Sequence, residues 1–362
     1  MFKNFEIKNF RCFRELKIEG LDLVNLIAGL NNIGKTAFLE ALFIYCGAYN
    51  PELILRVNAF RGVEFLKLEL GRWAEAPWES IFKEFDTSKE VKLKGENNRV
   101  GSRTLYLRLL RKPEDFAKMK KISHQFSNKE KGESLPLSSE SFQVLELESS
   151  ETNKKIYYYM IFDQKGIHIE PIPPAPPFPA IFLPARTRIP LQEDSERFGK
   201  LEIVGKQEVL LKALKVIEPR LVRLSVIVSS GLPIIHGDIG MSRLFPLAVM
   251  GEGMARLASL VLAIGNAPNG VVMVDEIENG LHHSILPKVW KAIGEVAQEF
   301  NTQIFATTHS MECIAAAHVA FKEMGSYDFR LHRLERIGDS IKAITYDEET
   351  LAAAIENRME VR

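Results

Sequence analysis

The sequence predicts an α/β fold whose core is a mostly parallel sheet with helices on both faces. In the C-terminal half, two apolar segments, residues 270–276 and 302–310, alternate with two segments of helical periodicity, residues 251–265 and 283–300. Fully apolar strands that alternate with helices are typical of parallel sheets buried on both sides. Residues 22–47 extend the pattern, because they read as a strand, a glycine-rich turn and a helix.

An antiparallel β part is predicted in the N-terminal half of the chain. Residues 5–20 alternate apolar and polar positions on either side of a polar break, which indicates a hairpin. Residues 104–111 and 142–149 favour strands, and residues 154–172 favour a strand pair that turns at 164–166. No heptad array follows, so we expect no long coiled coil.

Two lobes are expected. Seven prolines lie between Pro171 and Pro184, and this density forbids a helix and favours an extended linker. We therefore predict an N-lobe over residues 1–170, with a variable basic insert at about 51–150, and a C-lobe over residues 171–362.

Composition limits the classes of partner. The chain has 362 residues, 46 % of them hydrophobic and 26 % charged, and a formal net charge of zero, so it is not an obvious polyanion binder as a whole. The stretch Lys89–Lys131 nevertheless carries thirteen Lys or Arg against five Asp or Glu. Two interpretations stay open: a solvated insert whose charges compensate one another, or a surface that tracks nucleic-acid phosphates.

The cysteines and the apolar segments predict the cellular compartment of the protein. Cys12, Cys46 and Cys313 lie far apart without metal-ligand spacing, which fits buried small residues in a reducing cytosol. The apolar stretch 257–274 is interrupted by a glycine-containing break, and no leader pattern opens the chain. We expect a cytoplasmic protein that does not enter a membrane.

A phosphate-binding loop is predicted at residues 29–36, GLNNIGKT, which fits G-x4-G-K-[ST] between a strand and a helix. Glycines let backbone N–H groups curl around a phosphate, and the helix N-terminus adds its positive dipole end. Lys35 would reach the β- and γ-phosphate oxygens, and the Thr36 hydroxyl would ligate Mg²⁺. The predicted nucleotide contacts are Gly29, Asn31, Asn32, Ile33, Gly34, Lys35, Thr36 and Ala37.

Polar residues at the ends of the two C-terminal strands complete a candidate catalytic set. Asp275 ends the first strand and is placed to hold Mg²⁺, and the adjacent Glu276 could polarise an attacking water. Two adjacent acids make poor core residues, because neither can be buried unpaired. His309 ends the next strand at the edge where α/β sheets bind ligands, which favours a γ-phosphate contact.

Together these motifs resemble the ABC-type ATPases of the OLD/RecF/SMC group. The resemblance rests on five segments in the order that the group shows: IKNFRCF, GLNNIGKTAFLEAL, MGEGMARLASLVLAI, VDEIENGLH and FATTHS. They bracket most of the chain, leaving out about 51–150 and the last fifty residues. The loop after the acids, with Asn279 and His282, resembles the OLD-like branch rather than transporter ATPases.

The resemblance implies a role for each matching residue. Lys35 and Thr36 match the Walker A motif, Asp275 and Glu276 the Walker B motif, and His309 the switch histidine. The signature motif is matched by Gly251, Glu252 and Gly253, which in this group contact the γ-phosphate held by the other subunit. Two ATP molecules would thus be sandwiched in a head-to-tail homodimer.

Some positions depart from the group or stay open. Transporter-type signatures carry serine where this chain has Gly251, so backbone contacts would have to serve. Arg256 follows at the spacing of a basic residue of the group, with a structural role open. The lid glutamine could be Gln164 or Gln192. Arg11 resembles a basic residue near the nucleotide in RecF-like proteins, although it also fits a plain hairpin position.

The expected function is an Mg²⁺-dependent ATPase switch. OLD-like ATPases often act with a nuclease in bacterial defence against phage, and the fifty residues after His309 are too short for a TOPRIM nuclease domain. An effector such as a nuclease or toxin would then be a separate polypeptide. The alternative is a RecF- or SMC-like ATPase that binds DNA in repair or maintenance. A transporter motor is disfavoured by the signature and by the wide separation of Lys35 and Asp275.

Overall fold

A central six-stranded sheet carries the expected parallel strands. The structure is a computed structural model, and it describes residues 1–62, 78–110, 143–151, 154–163, 166–186 and 189–362. In the order β16-β15-β3-β14-β13-β9, all neighbours are parallel except β15 and β16. Its strands are β3 (Val24–Gly29), β9 (Ala180–Leu183), β13 (Val271–Val274), β14 (Gln303–Thr307), β15 (Phe329–Ile337) and β16 (Ser340–Tyr346).

A seven-stranded antiparallel sheet forms the predicted N-terminal β part, in the order β2-β1-β4-β5-β6-β7-β8. Its strands are β1 (Phe2–Phe10), β2 (Phe13–Glu19), β4 (Val91–Asn97), β5 (Gly101–Leu110), β6 (Gln143–Glu151), β7 (Lys154–Asp163) and β8 (Gly166–Glu170). A third sheet of three short antiparallel strands lies near the signature segment: β10 (Arg223–Ser229), β11 (Leu232–Asp238) and β12 (Phe245–Pro246).

Helices cover the central sheet on both faces, as the sequence predicts. They are α1 (Lys35–Cys46), α2 (Leu53–Ala59), α3 (Leu191–Ile203), α4 (Glu208–Leu214), α5 (Glu252–Gly265), α6 (Leu286–Phe300), α7 (Met311–Met324) and α8 (Glu348–Glu356). Single 3-10 turns span Glu79–Ile81, Lys83–Phe85, Leu247–Val249 and His283–Ile285. Among the described residues no helix approaches coiled-coil length.

The central sheet separates two hydrophobic cores. Side chains alternate across each strand, so Ile304 and Ala306 face one core while Phe305 faces the other. The first core lies under the helices of the C-terminal half, α3 to α8. The second lies between the central sheet and the antiparallel sheet and contains α1, whose helix is buried along nearly its whole length.

Several elements differ from the sequence-based expectations. The sequence of residues 205–224 favours a helix up to Pro219, but helix α4 ends at Leu214. The polar sequence of the preceding helix α3 does not indicate a helix; it becomes helical by burying Phe198 and Leu201 in the core. The proline-rich segment is not only a linker, since its end forms strand β9. The central sheet takes β3 from before this segment and four strands from after β9, so both proposed lobes share one sheet.

The charge of the basic stretch is partly compensated where the structure describes it. Arg103 is buried and donates to the Tyr45 carbonyl oxygen at 2.6 Å. Arg108 pairs with Glu90, Glu146 and Glu148. In residues 89–110 both arginines of β5 are therefore engaged by other residues of the fold, whereas residues 111–131 lie outside the described part of the chain.

Phe305 provides a test of the contact between the two layers. Its ring lies fully buried, 6.1 Å from the Phe38 ring of α1 and 6.4 Å from the Phe2 ring of β1. We expect Phe305→Ala to lower the free energy of unfolding by about 3–5 kcal/mol, because it removes an aromatic side chain from a packed core. Denaturant unfolding followed by circular dichroism measures the loss. Val319→Ala, at an exposed position of α7, should change stability by less than about 0.5 kcal/mol. A Phe305→Ala loss as small as that of the control would contradict this packing.

Candidate nucleotide-binding site

The loop between β3 and α1 has the backbone that a phosphate cradle requires. Gly29 and Gly34 have φ values of 138° and 108°, which side-chain-bearing residues rarely adopt. Space also demands glycine, because a Cβ at Gly34 would lie 2.5 Å from the Cys12 Sγ and one at Gly29 would lie 2.6 Å from the Leu334 carbonyl oxygen. The loop thus turns into the N-terminus of α1 with its backbone exposed to the cleft.

Lys35 is the first residue of α1 and is buried beneath the loop. Its Nζ donates hydrogen bonds to the carbonyl oxygens of Gly29 at 2.5 Å and Leu30 at 3.0 Å. Burial lowers the pKa of the Lys35 ammonium to about 8, although the nearby acids Asp275 and Glu276 oppose the shift. An anion bound in the loop would favour the charged form again.

Asp275 joins three elements at the carboxyl edge of the central sheet. Both carboxylate oxygens lie 3.1 Å from the Thr36 hydroxyl on α1, and Oδ1 also accepts from the Thr307 hydroxyl at 2.7 Å. Burial raises the pKa of the Asp275 carboxyl, and the two hydroxyl donors counteract part of that rise. Oxygen donors of this kind suit Mg²⁺, which is commonly held by one carboxylate, a hydroxyl and substrate phosphates.

Glu276 is held by neighbours on both sides. Its Oε2 accepts from the Asn279 amide at 2.7 Å, and its Oε1 lies 3.5 Å from the His309 Nε2. The Glu276 backbone has φ +48°, an uncommon left-handed value, and its N–H donates to the Thr307 hydroxyl at 2.8 Å. The His309 N–H donates to Glu278 Oε1 at 2.8 Å, which fixes the loop that follows β14.

These groups open onto one cleft of about 750 Å³, a size typical of small-ligand sites. Of the residues predicted for nucleotide binding, catalysis or metal binding, the cleft brings together Arg11, Asn31, Asn32, Gly34, Lys35, Thr36, Ala37, Asp275, Glu276 and His309. Gly29 and Ile33 do not line it: the Ile33 side chain packs into the second core, and Gly29 lies under Leu334.

The wall of the cleft also contains residues that sequence reasoning missed. They are Cys12, Glu40, Phe60, Arg61, Ser80, Phe182, Pro184, Ala185 and Arg186. Glu40 and Arg61 form a cluster with Arg11: the fully buried Glu40 carboxylate lies 2.7 Å from the Arg11 Nε and 2.6 Å from the Arg61 Nε. A charged glutamate on a helix that is otherwise apolar, LEALF, is the one signal that could have pointed to it.

The residues of the predicted signature motif lie outside the cleft. Gly251, Glu252 and Gly253 are at the N-terminus of α5 and are not part of the cleft wall. Gly251 has φ +124°, and a Cβ at Gly253 would lie 3.0 Å from the Gly280 carbonyl oxygen. Arg256, one turn further, donates to the carbonyl oxygens of Asp275 at 3.0 Å and Glu276 at 3.4 Å.

Of the two glutamine candidates for the lid, the structure describes only Gln192. It lies in the first turn of α3, donates to Glu196 Oε1 at 3.2 Å and does not line the cleft. Gln164 lies outside the described residues.

Two further features are absent from the described part of the chain. No group of three or more His, Cys, Asp or Glu side chains there could hold a metal by itself. No helix there is both long and apolar enough to cross a membrane.

Comparison with known proteins yields one family and several relatives. Residues 24–315 match the family described as "AAA domain, putative AbiEii toxin, Type IV TA system". An "ATP/GTP phosphatase" of Helicobacter pylori is 24 % identical over 385 residues, covering 99 % of this chain and 98 % of that protein. An uncharacterized protein of Methanocaldococcus jannaschii is 50 % identical over 48 residues, covering 13 % of this chain and 22 % of that protein.

Among solved structures, an SMC head bound to the C-winged helix domain of ScpA matches with a TM-score of 0.50 and 10 % identity. The match covers 97 % of this chain and 99 % of that one, and it supports the ABC-type α/β fold of the head. Since the family match spans the phosphate-binding loop, the acids and His309, the chain belongs to this AAA-domain family and is a P-loop ATPase with an SMC-head-like fold.

Proposed function

We propose that the chain hydrolyses ATP with Mg²⁺ in the cleft between the phosphate-binding loop and the ends of β13 and β14. The observation that carries the proposal is the Thr36–Asp275 pair. The Thr36 hydroxyl on α1 and the Asp275 carboxylate at the end of β13 lie 3.1 Å apart, although 239 positions separate them in the sequence. Two oxygen donors from separate elements, beside a buried lysine, match the needs of a magnesium–nucleotide complex.

The loop residues would bind the phosphates. The N–H groups of residues 31–36 and the N-terminus of α1 present positive partial charge to them. Lys35 would exchange its two carbonyl partners for phosphate oxygens, since both partners belong to the loop itself. Thr36 and Asp275 would hold Mg²⁺, which supplies charge neutralisation at the β- and γ-phosphates when bound.

Glu276 is the residue that would orient the attacking water. Asn279 and His309 fix its carboxylate in the cleft, so one of its oxygens can accept a proton from a water aligned with the γ-phosphorus. His309 is half-exposed beside it and would donate to the γ-phosphoryl oxygens. Positioned donors stabilise the charge that develops in the transition state without a covalent intermediate.

The proposed assembly is a homodimer in which ATP lies between the loop of one subunit and the signature of the other. Two observations support it: the signature lies outside the cleft of its own chain, and its helix starts at the exposed Gly251, so that the N-terminus of α5 could receive a phosphate. Both faces also present an apolar side chain to solvent, Leu30 in the loop and Val249 before the signature, exposed by 71 % and 72 %.

The biological role that we propose is control of a separately encoded effector, such as a nuclease or toxin, in bacterial defence against phage. The family description, which names a toxin of a type IV toxin–antitoxin system, supports an association with toxicity. The residues Asn279 and His282 support the OLD-like branch. Pull-down from the native host, with ATP and with ADP, tests whether the effector binds in one nucleotide state only.

Glu276→Gln tests the hydrolytic site. The variant keeps the shape of the side chain but not its basicity, so kcat should fall by at least about a hundredfold while the Kd for ATP stays within a few-fold. Phosphate release measures kcat, and calorimetry measures the Kd for ATP. Lys35→Ala should instead abolish tight ATP binding. Turnover by Glu276→Gln at the parental rate would show that Glu276 is not the base.

Val249→Glu tests the dimer. The residue is exposed before the signature, so a carboxylate there should repel the phosphates of the partner's ATP without disturbing the fold. In the Glu276→Gln background, sedimentation should show an ATP-dependent dimer that Val249→Glu abolishes. Val204→Glu, at an exposed site after α3, is the matched control and should still dimerise. A substitution at Gly253 is less selective, because its Cβ would crowd Gly280.

A normal dimer of Val249→Glu, or no ATP-dependent dimer of the Glu276→Gln protein, would contradict the sandwich. Monomer ATP binding, measured at a protein concentration below the dimer Kd, should be the same in both surface variants.

A further inference from the structure

Strand β9 brings a segment of the chain to the cleft that sequence motifs do not identify. It pairs in parallel with β13, with Leu183 beside Val274, and the Asp275 N–H donates to the Leu183 carbonyl oxygen at 2.9 Å. The residues that follow β9 therefore emerge next to the acids that follow β13. This edge of a parallel sheet is where α/β proteins hold ligands.

Arg186 is the third residue after β9 and lines the cleft with Lys35, Asp275, Glu276 and His309. Its side chain is exposed, and among the described residues it has no ion pair or hydrogen-bond partner. The other cationic side chains that line the cleft do have partners. Lys35 is buried on two carbonyl oxygens, and Arg11 and Arg61 share the Glu40 carboxylate.

We infer that Arg186 contacts the γ-phosphoryl group of the bound ATP. The inference rests on the proposed function. A guanidinium stays charged at any physiological pH and presents several donors in a plane, which suits bidentate contact with phosphate oxygens. Because Arg186 has no partner among the described residues, no existing contact must be broken when it binds the phosphoryl group.

At this edge of the sheet an arginine can do what a neutral glutamine cannot. A glutamine at this edge could orient a water or a metal ligand, but it carries no charge. Arginine instead adds a positive charge to a cleft wall that also contains Lys35, Asp275 and Glu276. Charge on the γ-phosphoryl oxygens is then countered by Arg186 as well as by Lys35.

The test compares ATP with ADP, because only ATP carries the γ-phosphoryl group. In the Glu276→Gln background, which prevents turnover, calorimetry with Mg²⁺ gives the Kd of each nucleotide for Arg186→Gln and Arg186→Lys. We expect Arg186→Gln to weaken ATP binding by roughly tenfold, the loss of one charge-assisted hydrogen bond, and to leave the ADP Kd within about twofold. Arg186→Lys, which keeps the charge, should retain most of the preference for ATP.

Two further measurements separate this contact from a general effect. Arg220→Gln is the control, since that arginine is 69 % exposed and pairs with Glu218 away from the cleft; it should leave both Kd values unchanged. Thermal unfolding by circular dichroism should be the same for Arg186→Gln and the parent. With Glu276 restored, Arg186→Gln should also lower kcat by about a hundredfold or more, as other cis cations do in phosphoryl transfer.

The possible outcomes distinguish a failure of the ATPase proposal from a failure of the Arg186 contact. If the Glu276→Gln protein binds neither nucleotide, the proposed function is wrong and this inference falls with it. If that protein binds ATP and Arg186→Gln weakens ATP and ADP equally, or neither, the ATPase proposal survives and the γ-phosphoryl contact of Arg186 is refuted. Loss of the preference for ATP in Arg186→Lys as large as in Arg186→Gln would exclude charge as its basis.

Discussion

The Asp275 carboxylate is the interaction on which the site depends. It is buried at the edge of the central sheet, where an unpaired charge would be costly, and the hydroxyls of Thr36 and Thr307 satisfy it. These two partners come from α1 and β14, so one carboxylate fixes the positions of the phosphate-binding loop, the acidic strand and the strand that ends in His309. Because the Asp275 carboxylate needs these hydrogen bonds, segments that lie far apart in the sequence are held together at the carboxyl edge of the central sheet.

A second buried carboxylate ties the loop to the antiparallel sheet. Glu40 lies on the face of α1 that packs toward the β1–β2 turn, where Arg11 has a left-handed backbone and donates its N–H to the Ile81 carbonyl oxygen at 2.8 Å. Removing one partner of a buried ion pair leaves an uncompensated charge. The Arg11–Glu40–Arg61 cluster therefore holds the turn, α1 and the segment after α2 in one arrangement around the cleft.

The sequence predicted those parts of the fold and site whose signal is local. The apolar runs of β13 and β14 are short and buried on both faces, and the glycines of the loop are required by their own φ values. By contrast, α3 is polar in sequence and becomes helical through the burial of Phe198 and a hydrogen bond between Asp194 and Ser259. Arg186 could not be found either, because its place depends on the pairing of β9 with β13, a contact between residues about ninety positions apart.

Arg256 connects the two faces that the proposed dimer would use. It lies partly buried on α5, one turn after the signature, and donates to the carbonyl oxygens of Asp275 and Glu276. Burial lowers the pKa of this guanidinium, and the surrounding acids oppose that shift. A movement of the signature helix on contact with a partner's ATP would thus reach Glu276 through one side chain. Under the proposed mechanism, a displacement of the Glu276 backbone, which has an uncommon φ of +48°, would change the direction of its carboxylate and the alignment of the attacking water.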